Sequence, residues 1–194
     1  MKVELQNLSH PDPELHIGQM AAECYDSDPG EAASRRRAKH CVKSGHLATL
    51  RFASATFRIS GISRACSHQL VRVAHAGVLQ RSQRYVLESN IEFVDPPALA
   101  GMPEHIKAAW CLLQAHTADL YDMAIKHGMN KGDARYILPQ GCTTSLNITG
   151  NFQMWRDLLR NRTDTAAQWE IRAVALEIQR QLNGVAPNIF PIEG

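Results

Sequence analysis

Arginine presents a planar fork of donors that matches phosphate oxygens, and in this sequence it recurs in three separated stretches rich in polar partners. The densest is Gln69-Leu70-Val71-Arg72-Val73-Ala74-His75, followed by Gln80-Arg81-Ser82-Gln83-Arg84-Tyr85. A serine hydroxyl and free backbone amides beside an arginine can complete an anion pocket, and a nucleotide monophosphate would fit one. The second stretch is Gly132-Asp133-Ala134-Arg135-Tyr136-Ile137-Leu138-Pro139, and the third is Arg160-Asn161-Arg162 with Ala167-Gln168-Trp169-Glu170-Ile171-Arg172. Each offers an arginine near a turn or helix end. On residue types alone, the three stretches could converge on one anionic ligand or lie apart on the surface.

Other chemistries are less well supplied. The five cysteines, Cys24, Cys41, Cys66, Cys111 and Cys142, contain no CxxC pair, so they suggest neither a disulfide frame nor a zinc site, and a reducing compartment fits. The histidines His10, His16, His40, His68, His75, His105, His116 and His127 show no HExxH-like spacing; no metal site is expected, and most read as surface or packing residues, with packing also the first reading for His75 and a ligand-contacting role one turn past Arg72 its alternative. A formal charge of +2 is too small to imply nucleic-acid binding. The one basic run, Arg35-Arg36-Arg37-Ala38-Lys39-His40, reads as a solvated helix face, with a phosphate or polyglutamate contact as its functional alternative. Charges interrupt every apolar stretch, and Met1-Lys2-Val3-Glu4-Leu5 lacks the order of a signal peptide, so a soluble cytoplasmic protein with no membrane partner is expected.

The elements that must position these residues are those of one α+β domain over 1–194, with long helices and a small mixed or antiparallel sheet. Strands are expected at 2–6, at 54–60, where Phe57 and Ile59 alternate, and at Ile91 to Val94. Helices are expected at 13–25, at 31–43 before Gly45, near 62–75, and after Pro103, where Ile106, Trp110, Leu113 and Leu120 form one scaffold stripe. Ile171, Val174, Ile178 and Leu182 mark a last helix, which Gly184 should stop.

Several of these segments, taken together in order, resemble the flavin-dependent thymidylate synthases. They are Gly45-His46, then Phe57, then Ser63-Arg64-Ala65-Cys66-Ser67-His68-Gln69-Leu70-Val71-Arg72, then Ser82-Gln83-Arg84-Tyr85, then Ala134-Arg135-Tyr136-Ile137-Leu138-Pro139, then Ala167 through Arg172. The likeness spans about residues 45–172. It implies a ThyX-like domain that moves a one-carbon unit from 5,10-methylenetetrahydrofolate to C5 of a pyrimidine deoxynucleoside monophosphate, dUMP or dCMP. It further implies FAD as cofactor, NADPH as reductant where FAD is used, and a homotetramer with active sites at subunit interfaces. By the same likeness Gln69, Gln80, Ser82, Arg84, Arg135 and Arg162 fall at substrate-binding positions, and His46, Arg72 and Asn151 at cofactor positions. Arg162 is the candidate catalytic group, stabilising enolate-like charge on the ring.

The chain departs from the family pattern on the flavin side. The Arg-His-Arg motif reads Arg72-Val73-Ala74, a usual Glu-His pair reads Arg51-Phe52, an acidic residue is replaced by Gln80, and an Asn-Ala-Arg reads Asn151-Phe152-Gln153. Losing ring-stacking and phosphate-pairing groups implies weaker or absent flavin binding, and with it a product that could be methyl or hydroxymethyl. The alternatives are an ordinary FAD- and NADPH-dependent synthase and an inactive nucleotide-binding homologue. A thiolate adding to the pyrimidine is a further possibility, for which Cys142 and Cys66 are the candidates.

Overall fold

Ser54–Ser63 forms the central strand β2, and its side chains alternate as the period of two requires: Ala55, Phe57 and Ile59 are buried, whereas Thr56 and Arg58 face away. The computed structural model that shows this describes residues 1–88 and 90–192. On one side β2 pairs antiparallel with β1 (Lys2–Leu8), and on the other with β4 (Thr143–Asn151), where Phe57 stands opposite Ile148. A short strand β3 (Gly77–Gln80) pairs with β4 and forms the sheet edge, giving the order β1-β2-β4-β3. All pairings are antiparallel. Gly61, at φ +66°, supplies the left-handed residue that the bulge between Ser60 and Ile62 needs.

The apolar face of the sheet is covered by α3 (Arg64–Leu70), α6 (Phe152–Arg162) and α7 (Trp169–Val185). Trp155 of α6 lies fully buried, its ring 5.0 Å from that of Phe57 in an edge-to-face contact, and its indole N–H donates to the Ala55 carbonyl at 3.1 Å. Ile171, Val174, Ile178 and Leu182 supply the buried stripe of α7, as their spacing requires. Two helices, α1 (Pro13–Glu23) and α2 (Glu31–Lys43), pack so closely that a β-carbon on Gly18 would meet the Ser34 carbonyl oxygen at 1.9 Å.

Five expectations are corrected. The helix near 62–75 is only α3, because β2 runs on to Ser63, whose hydroxyl caps α3 at the Cys66 amide, and the β-branched Val71 and Val73 follow a helix already ending. Ile91 to Val94 is no strand; its one bridge is Phe93 to Cys142, and the prolines at 96 and 97, which lack N–H donors, follow at once. The helix after Pro103, α4 (Glu104–Lys126), is present, but Ile106, Leu113 and Leu120 stay 41%, 61% and 49% exposed, so its stripe is not buried in the protomer. Gly184 lies inside α7, which ends at Val185 just before Pro187. The basic run is the solvated face expected at Arg35, Arg36, Lys39 and His40, with Arg35 also paired to Asp12 and Glu31, but Arg37 departs from it: it donates to the Gly18 and Asp28 carbonyls and to Ser27, tying α2 to α1.

Candidate active site

A cavity of about 750 Å³ opens between the 3-10 turn Leu47–Phe52, the segment that follows α3, and one face of α6. Each wall delivers side chains for a local reason. Gln69 and Arg72, three apart at the end of α3, point the same way. Asn151 joins β4 to α6 and spends its side-chain oxygen on capping that helix, accepting from the Met154 amide at 2.9 Å, which leaves its amide group free toward the cavity. Arg162 arrives from the last turn of α6, two turns beyond Met154 and one beyond Leu158 on the same wall.

The charge of this cavity is strongly one-sided. Arg51, Arg72, His75 and Arg162 all line it, and Asp157 is its one acidic residue, already holding the Gln153 amide at 3.0 Å. Among the described residues none of the three guanidinium groups has a hydrogen-bond or ion-pair partner in the protein. Paired arginines elsewhere show the contrast, as with Arg180 on Glu177 and Arg172 on the Thr163 carbonyl. Unpartnered guanidinium groups facing one concavity make a site for an anion. Leu47, Ala48, Val73, Met154 and Leu158 add apolar wall. A cationic, partly apolar cleft fits a ligand that carries both phosphate and a planar ring.

His75 corrects the packing expectation. It is exposed, lines the cavity, and holds φ +64°, a left-handed conformation that costs a non-glycine residue about 1 to 3 kcal/mol.

The expected site residues do not all meet within one protomer. Gln69, Arg72, Asn151 and Arg162 share the cavity. Gln80 points inward instead, donating to Ser67 at 2.9 Å and Thr144 at 3.2 Å, and so fastens β3 to α3 and β4. Ser82 accepts from the Arg84 amide at 3.3 Å in a tight turn. Arg84 then lies in a second concavity of about 410 Å³ with Lys131 and Gly132, beside α5 (Lys131–Ala134), and Arg135 donates to the Gly132 carbonyl at 3.1 Å. Ser82, Arg84 and Arg135 thus form a separate basic group next to α4. His46 stands one residue before the cavity-lining Leu47, bonded to the Tyr25 hydroxyl at 3.0 Å. Reasoning from sequence placed Arg51 and Gln153 among the altered flavin-side positions without giving them a binding role, and missed Asp157 as a cavity residue. The i,i+4 spacing of Gln153 and Asp157, with Asn161 a further turn on, was the available signal.

The two cysteines are poor nucleophiles. Burial, then the nearby Glu170 carboxylate, pushes the Cys66 thiol up to about 12; burial and Glu88, opposed by Arg64, push Cys142 up to about 11. A thiol ionises only as pH rises through its pKa, so both stay protonated across the neutral range. Cys142→Ser and Cys66→Ala are expected to leave kcat at pH 7.5 (about a unit above neutral histidine's midpoint) within about twofold of the unaltered chain. A loss beyond about a hundredfold in either, with the fold retained by circular dichroism, would restore covalent catalysis.

An antiparallel sheet backed by helices, with a cationic cleft at the α3–α6 junction, makes this an α+β protein with a concavity suited to an anionic ligand. Comparison with known proteins makes the assignment narrower. The family model described as thymidylate synthase complementing protein matches residues 5–188. The chain is 35% identical over 185 residues to the flavin-dependent thymidylate synthase of Mycobacteroides abscessus, covering 86% of this chain and 74% of that protein. Identity to the enzymes of the same name from Mycobacterium marinum and Mycobacterium tuberculosis is 36% and 34%, with the same coverage. The chain belongs to the family of the flavin-dependent thymidylate synthases.

Proposed function

We propose that this chain transfers a one-carbon unit from 5,10-methylenetetrahydrofolate to C5 of a pyrimidine deoxynucleoside monophosphate, with dUMP the acceptor that the names of the relatives favour and dCMP the alternative. The observation that carries the reading is the meeting of Gln69, Arg72, Asn151 and Arg162 in one cleft rich in unpaired positive charge. In the reaction, C5 forms a bond to the methylene carbon as the folate nitrogen leaves, and the C5 proton is then lost. Negative charge gathers on the ring oxygens before that bond is complete. A guanidinium aimed at them lowers the barrier, and Arg162 takes that role.

FAD fits the same cleft. Its diphosphate matches Arg51 and Arg72, and its ring system the apolar wall. When bound it supplies the hydride, drawn from NADPH, that turns the transferred methylene into methyl. Without a reductant, water attacking the same carbon leaves hydroxymethyl. The flavin contacts of this chain differ from those of a complete Arg-His-Arg motif, so flavin use is altered in its details.

The active site is completed between copies. Ser82, Arg84 and Arg135 lie outside the cavity of their own protomer, on a side where α4 presents an uncovered apolar stripe and β3 leaves Leu79 78% exposed on an open sheet edge. An exposed apolar patch of this kind beside half a phosphate site fits a closed homo-oligomer, a homotetramer in the proposed arrangement, in which one copy offers the serine-arginine turn to the cleft of another.

The test is turnover with isotope-labelled methylenetetrahydrofolate and either dUMP or dCMP, with and without FAD and NADPH, read by mass spectrometry. Label is expected in the nucleotide, as methyl when FAD and NADPH are present. Tight nucleotide binding with no labelled product under any combination would favour an inactive nucleotide-binding homologue.

A further inference from the structure

Two cavity residues have side chains that the family pattern does not supply. Arg51 enters from the 3-10 turn at one wall, and His75 from the turn between α3 and β3 at another, the wall that also carries Arg72, Val73 and Ala74. Val73 and Ala74 themselves offer no hydrogen-bonding side chain, yet the cleft still holds a histidine and a second arginine beside Arg72. We propose that Arg51 and His75 are the cofactor-binding pair of this chain: Arg51 takes a phosphate of the flavin dinucleotide from across the cleft, and His75 lies against the ring or its neighbouring phosphate. The proposal rests on the reading of this cleft as the flavin site.

The physical case is the same for both residues. Arg51 is a long, flexible cation whose guanidinium has no partner among the described residues, although Asp157 lines the same cleft. Its open environment lets it close on an anion without first breaking an internal pair. His75 occupies a left-handed position that glycine would fill without strain, and Gly77 is only two residues away. Its imidazole is exposed and makes no hydrogen bond among the described residues, so neither packing nor an internal bond accounts for the strain. Backbone held in a sparsely populated conformation at the wall of a cleft marks a residue retained for what it contacts.

The experiment titrates the protein, stripped of flavin, with FAD and separately with riboflavin, which lacks phosphate, by fluorescence quenching. Arg51→Gln is expected to weaken FAD about tenfold to a hundredfold and to leave riboflavin unchanged. Arg51→Gln with Ala74→Arg returns the cation by the other wall and is expected to recover FAD affinity to within about threefold of the unaltered chain. His75→Gly is expected to weaken FAD at least about tenfold while the melting temperature holds or rises, since the strain is released. A structural histidine would give the opposite pattern, a lower melting temperature with FAD unchanged. FAD affinity within about twofold in either single variant overturns the proposal, as does absence of FAD binding by the unaltered chain. Arg72→Ala separates the two levels: if it alone weakens FAD, this pair is wrong and the flavin cleft stands; if it too has no effect, the cleft is not the flavin site.

Discussion

Arg162→Ala is expected to lower kcat by about a hundredfold to a thousandfold, the cost of removing one preorganised donor from developing negative charge. The side chain projects into the cleft from the last turn of α6 and has no protein partner among the described residues. Removing it therefore breaks no internal contact, and stability is expected to change by no more than about 0.5 kcal/mol. Arg162→Lys keeps the charge but loses the planar fork, so it should recover only part of the rate. Steady-state kinetics with the acceptor nucleotide, beside a thermal melt, would check this. A kcat within about threefold of the unaltered chain, with the fold intact, would remove Arg162 from the chemistry.

The largest effect on stability is expected at Glu170. Its carboxylate is buried and accepts from the Ser63 amide at 2.7 Å and the Ser63 hydroxyl at 2.5 Å, while the same hydroxyl accepts from the Cys66 amide at 3.0 Å. One side chain of α7 thus fixes the point where β2 becomes α3. Glu170→Ala leaves two buried donors unsatisfied and opens a void, a cost of about 2 to 5 kcal/mol. For a chain of this length that is roughly 4 to 20 °C in melting temperature. Because α3 carries Gln69 and Arg72 to the cleft, nucleotide affinity should fall as well. Glu170→Gln keeps the shape and one acceptor, and should lose less. A melt unchanged by Glu170→Ala would show that the junction is held elsewhere.

Much of the fold was legible from local pattern. Phe57 and Ile59 in period two located β2, and Ile171, Val174, Ile178 and Leu182 located the buried face of α7. Pro13 and Gly45 bracketed α1 and α2 through their fixed backbone preferences. β4 went unread because Thr143 to Gly150 mixes threonine, serine and asparagine with only Leu146 and Ile148 as apolar markers, and its pairing with β2 is long-range. α4 showed its stripe clearly, but periodicity tells which face is apolar and not what covers it. At the site, an arginine cluster could be recognised, whereas its division into a cleft and a separate turn depends on the tertiary path between β3 and α5. Arg51 read as a flavin-side substitution of the wrong sign, and His75 as a packing residue before a substitute for the missing motif histidine; their shared place at one cavity is visible only in the tertiary structure.

Transfer at a site shared by copies of this chain is tested most directly by mixed oligomers. Arg162→Ala disables the cleft half, and Ser82→Ala with Arg84→Ala disables the turn half, where the lost charge-assisted bonds are worth about 1.5 to 3 kcal/mol each. Each parent alone should be nearly inactive. Co-expressed with two different tags and purified through both, the mixed oligomers contain some sites with both halves intact, about a quarter of them on random pairing, and should recover a corresponding share of the turnover of the unaltered chain. Activity no higher than that of the two parents would contradict a shared site, and would place each protomer's chemistry within its own chain.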